Sequence, residues 1–412
     1  MLSKAFAPQC AAYEARSPAL PGVRHARGLL SLALGSFCIG TSEFASMGIL
    51  QLFSSSFGID ISTATRAIAA YAFGVVVGAP VITLAAARLN RRTLLLLLMG
   101  LFCVGNVLSS ASSNISTFAI ARFISGLPQG AYFGAGAVVA ASFVGPGHGG
   151  KAFSLVMLGL TVATIFGSPL ATFLGQHLGW RNTYLAVSAL GAVSFVLLWV
   201  FIPRSDALRG DSVTQELKAL GRPNVWTIMV VAALGVASIF AVYTFIGSFV
   251  TDVAALTPAL IPVALALFGI GMTCGNLIGG RLADLYVTRG LVVGFGAALL
   301  ALAVLGSSGR NPWVLMAGLF AVGATMMTAI PTIQVNLTRY APEAPTLVGA
   351  MNLAALNVAN AIGAWAGGAA IGAGYGLLSA VWAGFVLTLL GLAVFVLTVH
   401  KTPRPAPREP DT

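Results

Sequence analysis

The segment PRSDALRGDSVTQELKALGRPNV, residues 203–225, is the longest polar stretch in the interior of the chain. On both sides of it the sequence is apolar, with only short polar interruptions. Six apolar runs precede it, at about 28–50, 66–87, 93–112, 116–144, 152–175 and 181–202. Six follow it, at about 226–250, 259–280, 290–308, 312–337, 346–372 and 376–399. Each is close to or above the roughly 20 residues that a helix needs to cross a hydrocarbon core about 30 Å thick. The alternating ten-residue segments of a membrane barrel are absent, and lipid allows no other spanning structure. The sequence therefore predicts an all-α integral membrane protein, with twelve transmembrane helices in two six-helix bundles.

Composition agrees. Of 412 residues, 58% are hydrophobic and 8% are charged, and mean hydropathy is +0.92. A soluble domain carries about 25% charged residues, so this chain cannot cover itself with a water-facing surface. The expected organisation is a polar cytoplasmic tail over 1–27, an N-terminal bundle over 28–202, a central cytoplasmic loop over 203–225, a C-terminal bundle over 226–399 and a second tail over 400–412. Both tails contain proline and charged residues and are expected to be disordered. Within the central loop, VTQELKAL (213–220) reads as a short amphipathic piece lying on the membrane surface. The first apolar run is too long for the core of a signal peptide, so it is expected to remain as a span.

The net charge of +11 raises the question of a nucleic-acid partner. Placement argues against one. If the N-terminus is cytoplasmic, every Lys and Arg lies in a cytoplasmic segment except Arg66, Arg181 and Arg310 on the opposite side and Arg122 within a span. This is the positive-inside bias, and it puts both termini in the cytoplasm. The basic residues thus encode topology in a lipid bilayer. The four cysteines, Cys10, Cys38, Cys103 and Cys274, are scattered and show no metal-ligand spacing, so no metal or other cofactor is expected.

The halves resemble each other weakly. VATIFGSP (162–169) matches VANAIGAW (358–365), and GAPVITLAAARLNRR (78–92) matches GNLIGGRLADLYVTR (275–289) at nearly the same offset. Repeated halves imply a pseudo-twofold axis along the membrane normal, with a path for substrate between them.

Two charges stand inside the spans. Glu43, in GTSEF (40–44), lies about 10 Å below the outer boundary at 1.5 Å per residue, and Arg122, in FAIARFISGLPQG (118–130), lies about 9 Å below it. An isolated charge there costs at least a few kcal/mol. The shared depth suggests a direct or water-bridged pair whose proton could move, and a static ion pair that fixes helix packing is the other reading. In the fifth span, Gly167 and Pro169 are expected to bend or loosen the helix. Arg88, Arg91 and Arg92 after the second span, and Gly280 and Asp284 after the eighth, read as cytoplasmic gates. Gln129, Tyr132, Tyr243, Asn276, Gln334, Asn357, Asn360 and Trp365 are polar or aromatic residues in mid-span and are candidate linings of a substrate cavity, with hydrogen bonding between helices as the alternative for each. No GxxxxGK[ST] loop, HExxH or GxSxG occurs, and none of the four histidines lies in mid-span, so neither ATP hydrolysis nor another enzymatic activity is expected.

The pattern resembles the major facilitator superfamily over residues 28 to 400. GTSEF with GAPVITLAAARLNRR resembles its twelve-span drug:proton antiporter branch, in particular the arabinose-efflux-like and chloramphenicol-resistance-like exporters. Arg122 with Gly126, Gln129 and Gly130 matches that branch's fourth-span motif, and the resemblance implies that the arginine takes part in proton transfer. GRLAD (280–284) keeps the Gly and Asp of the superfamily's loop motif, whereas the first half has Ala87 where the Asp would sit. The resemblance implies a carrier in a bacterial-type cytoplasmic membrane that acts as a single chain, alternates between inward- and outward-facing states and exports drug- or sugar-like small molecules against protons. An importer or facilitator on the same fold, or a membrane receptor that moves nothing, are the alternatives.

Overall fold

The structure, a computed structural model, describes residues 22–59, 61–145, 147–208, 218, 220–257 and 260–399. Both expected tails, apart from residues 22–27, and most of the 213–220 piece lie outside the described residues. Among those described there is no strand. The helices are α1 (Gly22–Gly48), α2 (Ile61–Ala85) and α3 (Arg91–Ala111), then α4 (Ile115–Val144) and α5 (Gly149–Leu178), and α6 (Trp180–Phe201). The second half has α7 (Pro223–Tyr243), α8 (Ile261–Leu285), α9 (Val287–Ser308) and α10 (Pro312–Tyr340), α11 (Pro345–Tyr375) and α12 (Ser379–Val399). All twelve are long and apolar enough to cross a membrane.

Two boundaries differ from expectation with consequences. α1 starts at Gly22, so the segment expected to be tail up to residue 27 is helical from there. α8 runs through Leu285, which places Gly280 and Asp284 on the helix itself and leaves Tyr286 alone between α8 and α9.

Local chemistry explains the helix starts. Asn90 accepts a hydrogen bond from the Arg92 amide, Asn114 and Thr117 form a reciprocal capping box, and Asn311 accepts from the amides of Trp313 and Val314. Each satisfies amides that have no partner inside the helix. Pro312 and Pro345 sit in the first turns of α10 and α11, where a missing N–H costs nothing. Large side chains such as Leu97, Leu300 and Leu397 are exposed on the outside of the bundle, where lipid covers them.

With an even number of spans, the start of α1 and the end of α12 lie on one face, called here the terminal face. The halves meet crosswise, α2 and α4 against α11, and α5 against α8. This exchange of equivalent helices is what a pseudo-twofold axis requires. Small residues permit it. At Gly134, on α4, a Cβ would collide with the Thr346 carbonyl oxygen and lie 2.8 Å from the Ala350 amide nitrogen, both on α11. At Gly280 it would lie 2.7 Å from the Ser154 Cβ on α5.

Candidate functional site

The site begins with the turn of α1 that carries Ser42 and Glu43. Adjacent residues on a helix point about 100° apart, and these two side chains go different ways. Ser42 turns into the N-terminal half and meets Arg122. The guanidinium is fully buried. Its Nη1 donates to Ser42 Oγ at 2.9 Å and Ser125 Oγ at 3.2 Å, and its Nη2 donates to the Ser42 carbonyl at 3.0 Å. Its ring neighbours are Tyr71 at 4.4 Å and Tyr184 at 5.3 Å. Ser42 Oγ in turn donates to Asn106 Oδ1 at 2.8 Å.

Glu43 turns instead to the space between the halves. Its carboxylate Oε2 accepts from Gln129 Nε2 at 3.0 Å. Of the direct or water-bridged pair expected, the direct contact is absent: Glu43 and Arg122 share no hydrogen bond or salt bridge. The two charges share a depth, but the arginine is held by the backbone and hydroxyl of Ser42 and by two tyrosine faces, and the carboxylate by a glutamine.

Glu43 and Gln129 line a central cavity with Phe44, Met157, Leu160 and Thr164 from the first half. From the second half come Val236, Ile239, Phe240 and Tyr243 of α7, Met272 of α8, Met327 and Ile330 of α10, and Leu353, Leu356 and Asn357 of α11. The lining is apolar with a few polar groups, and Glu43 is its one charge. The cavity holds about 40 Å³. Drug-sized pockets run to roughly 300–1,000 Å³, so the cavity as it stands is too small for a drug-sized molecule.

Of the residues expected at the cavity, Gln129, Tyr243 and Asn357 line it. The others do not. Tyr132 is buried inside the first half and donates to the Leu32 carbonyl at 3.0 Å. Gln334 accepts from Asn352 Nδ2 at 3.0 Å within the second half. Asn276 ties the halves together: its Nδ2 donates to the Ser154 carbonyl, and Ser154 Oγ donates to the Asn276 carbonyl, both at 2.8 Å. Asn360 is half-buried away from the lining, and Trp365 is 74% exposed.

The terminal face is shut below the cavity. Asp284 reaches across from α8 and accepts from the Gly150 amide at 2.7 Å and the Lys151 amide at 3.1 Å, capping the N-terminus of α5 in the other half. The equivalent place in the first half has Ala87, which is buried. The expected gate arginines there behave differently from Asp284. Arg91 donates to the Ala87 carbonyl at 3.1 Å, Arg92 donates to the Trp199 carbonyl of α6, and Arg88 is exposed. Both of these carbonyls belong to the N-terminal half.

Higher up, α5 widens into a π turn at Ala163–Gly167 just before Pro169. The turn accommodates the missing proline N–H, so the helix loosens there. At Gly167 any side chain would collide with Thr41 Oγ1 of α1.

Comparison with known proteins fits this geometry. The sequence signature of the Major Facilitator Superfamily matches residues 32–364 and 255–412. The chain belongs to that superfamily. It is 37% identical over 376 residues to the inner membrane transport protein YdhP of Escherichia coli K12, covering 91% of this chain and 96% of YdhP. It is 32% identical to the chloramphenicol resistance protein of Streptomyces lividans, covering 92% of this chain and 98% of that one. Among solved structures, the proton:xylose symporter XylE bound to 6-bromo-6-deoxy-D-glucose superposes with a TM-score of 0.69 at 16% identity, covering 92% of this chain and 96% of XylE. This major facilitator transporter is therefore a multi-pass membrane protein with efflux-like relatives.

The buried arginine gives a test of the cage around it. Arg122→Ala removes charge-assisted hydrogen bonds and two aromatic contacts. The expected loss is on the order of 3 kcal/mol, read as a lower apparent melting temperature in detergent. Arg122→Lys, which cannot span Ser42 and Ser125 together, is expected to fall between.

Proposed function

We propose that this protein is a proton-coupled antiporter that exports small amphipathic molecules by alternating access. The observation that carries the reading is the position of Glu43, a carboxylate at the seam between the halves, facing an otherwise uncharged cavity. A group placed there can take up a proton when the cavity opens to one side and release it when it opens to the other. Gln129 holds the carboxylate in one orientation, and Arg122, behind it, contributes positive charge from a place substrate does not reach. Tyr71, Gln129 and Asn357 each carry a buried polar atom without a protein hydrogen bond. Gln129 and Asn357 line the cavity, where such atoms suit a substrate with a polar handle.

The lining favours amphipathic, drug-like compounds over sugars, because a sugar needs a polar partner for almost every hydroxyl. Kinship with a protein named for chloramphenicol resistance supports the same class. The distribution of Lys and Arg supports a cytoplasmic terminal face, and on that reading the shut side is the cytoplasmic one. Opening it requires Asp284 to release α5 and the halves to rock about the cavity.

The test uses purified protein in liposomes enclosing a pH-sensitive dye, with an imposed proton gradient and a panel of drugs, sugars and nucleosides. Proton movement driven by apolar drugs, and absent with sugars, is the expected result. Flux of a labelled compound with no accompanying proton movement would overturn antiport in favour of a facilitator.

A further inference from the structure

A second concavity lies away from the transport path. It is a groove of about 610 Å³ on the face opposite the termini, between the end of α9, the end of α11 and the start of α12. Its walls include Gly306, Arg310, Tyr375 and Trp382. Gly306 lets the α12 indole lie against α9, since a Cβ there would be 2.9 Å from Trp382 Nε1. Tyr375 is 81% exposed and Trp382 42%, and both sit at span ends, where amphipathic aromatic rings mark the boundary between headgroups and hydrocarbon. A groove on the outside of a membrane bundle at that level is bathed in lipid.

Its chemistry selects among lipids. Among the described residues Arg310 makes no hydrogen bond or ion pair, and neither does the Trp382 indole N–H. The hydroxyls of Ser307 and Ser379 already donate to the carbonyls of Ala303 and Gly376. The groove thus offers a guanidinium, an indole N–H and the Tyr375 hydroxyl as donors, and no Asp or Glu lines it. A phosphodiester is a good partner for the guanidinium, which binds phosphate oxygens in a fork. A positively charged headgroup finds no carboxylate. We propose that the groove between α9, α11 and α12 is a binding site for an anionic phospholipid, with Arg310 on the headgroup phosphate and an acyl chain along Trp382 and Val386.

The experiment follows tryptophan fluorescence of the delipidated full chain in detergent. It is titrated with phosphatidylglycerol or phosphatidylcholine carrying brominated acyl chains, which quench tryptophan on contact. Trp382→Phe identifies the share of quenching that belongs to the groove. In the wild type, half-quenching of that share is expected at about fivefold less phosphatidylglycerol than phosphatidylcholine, the worth of one basic residue at a membrane surface. Arg310→Gln is expected to erase the preference. Arg66→Gln, which removes an exposed cation near the same face, is expected to keep it and so separates a site from general charge attraction. Equal midpoints for the two lipids in the wild type would overturn the proposal. So would a preference that survives Arg310→Gln, or one lost equally in Arg66→Gln.

Discussion

Glu43→Gln is expected to reduce compound-driven proton movement to the level of empty liposomes, while exchange of labelled compound across the membrane continues. Glutamine matches glutamate in size and its side-chain oxygen can accept the same bond from Gln129 Nε2 that the carboxylate accepts at 3.0 Å. The fold and the cavity lining are therefore kept, and only the ability to carry a proton is lost. No other charged group lines the cavity to replace it. Coupling between proton and substrate is reciprocal. In an antiporter each ligand weakens the other, so binding of the exported compound to the wild type should weaken as pH falls. In Glu43→Gln it should be independent of pH. The two readouts separate coupling from damage, since a misfolded variant loses exchange as well. Proton movement that persists in the variant would reduce Glu43 to a packing role and pass the coupling function to another group.

Much of the fold was legible in the sequence because lipid leaves few choices. A span must satisfy its own backbone, so its length and hydropathy announce it, and all twelve runs correspond to helices. Helix ends were less legible. α8 continues past the apolar run to Leu285 because GRLADL is helix-compatible and leaves the hydrocarbon without breaking. The depth shared by Glu43 and Arg122 was visible from simple rise per residue. Their partners were not. Pairing depends on which way each side chain points about its helix axis, and Ser42, one residue away, makes the direct contacts to the arginine.

The same limit explains the cavity list. In a helix with apolar residues on all sides, the hydrophobic pattern does not encode rotation, so the same pattern fits a mid-span polar residue that bonds across helices and one that faces a cavity. Tyr132 and Gln334 bond within their halves, and Asn276 bonds across the seam. Met157, Met272 and Met327, which line the cavity, carry no sequence signal that sets them apart from other apolar residues of a span. Tyr71 and Tyr184 stack on the arginine from other helices, and a tyrosine at the depth of a buried arginine is a sequence signal for such a cation–π partner.

Gly134→Val is expected to unlock the terminal face. Gly134 lies on α4 where that helix crosses α11, and Gly349 of α11 faces it: a Cβ at Gly349 would lie 2.7 Å from the Gly134 Cα. A valine at 134 would meet the backbone of Thr346 and Ala350, which cannot swing aside as a side chain can. Overpacking of this kind costs roughly 1–3 kcal/mol. The cost falls on the shut state alone, because the contact joins the two halves and disappears when they part. A difference of 1–3 kcal/mol changes the ratio of open to shut by about 5- to 150-fold. Ser154 supplies the reporter. It is buried at the seam, bonded to Asn276 of the other half, so a cysteine there is shielded while the terminal face is shut. In a background without the native cysteines, Ser154→Cys should react with maleimide slowly, and Gly134→Val should raise the rate by a comparable factor. Asp284→Asn, which weakens the cap on α5 but leaves the α4–α11 crossing intact, should raise it less. An unchanged labelling rate in Gly134→Val would mean that the α4–α11 crossing yields without parting the halves, and that the seam between α5 and α8 holds the shut state by itself.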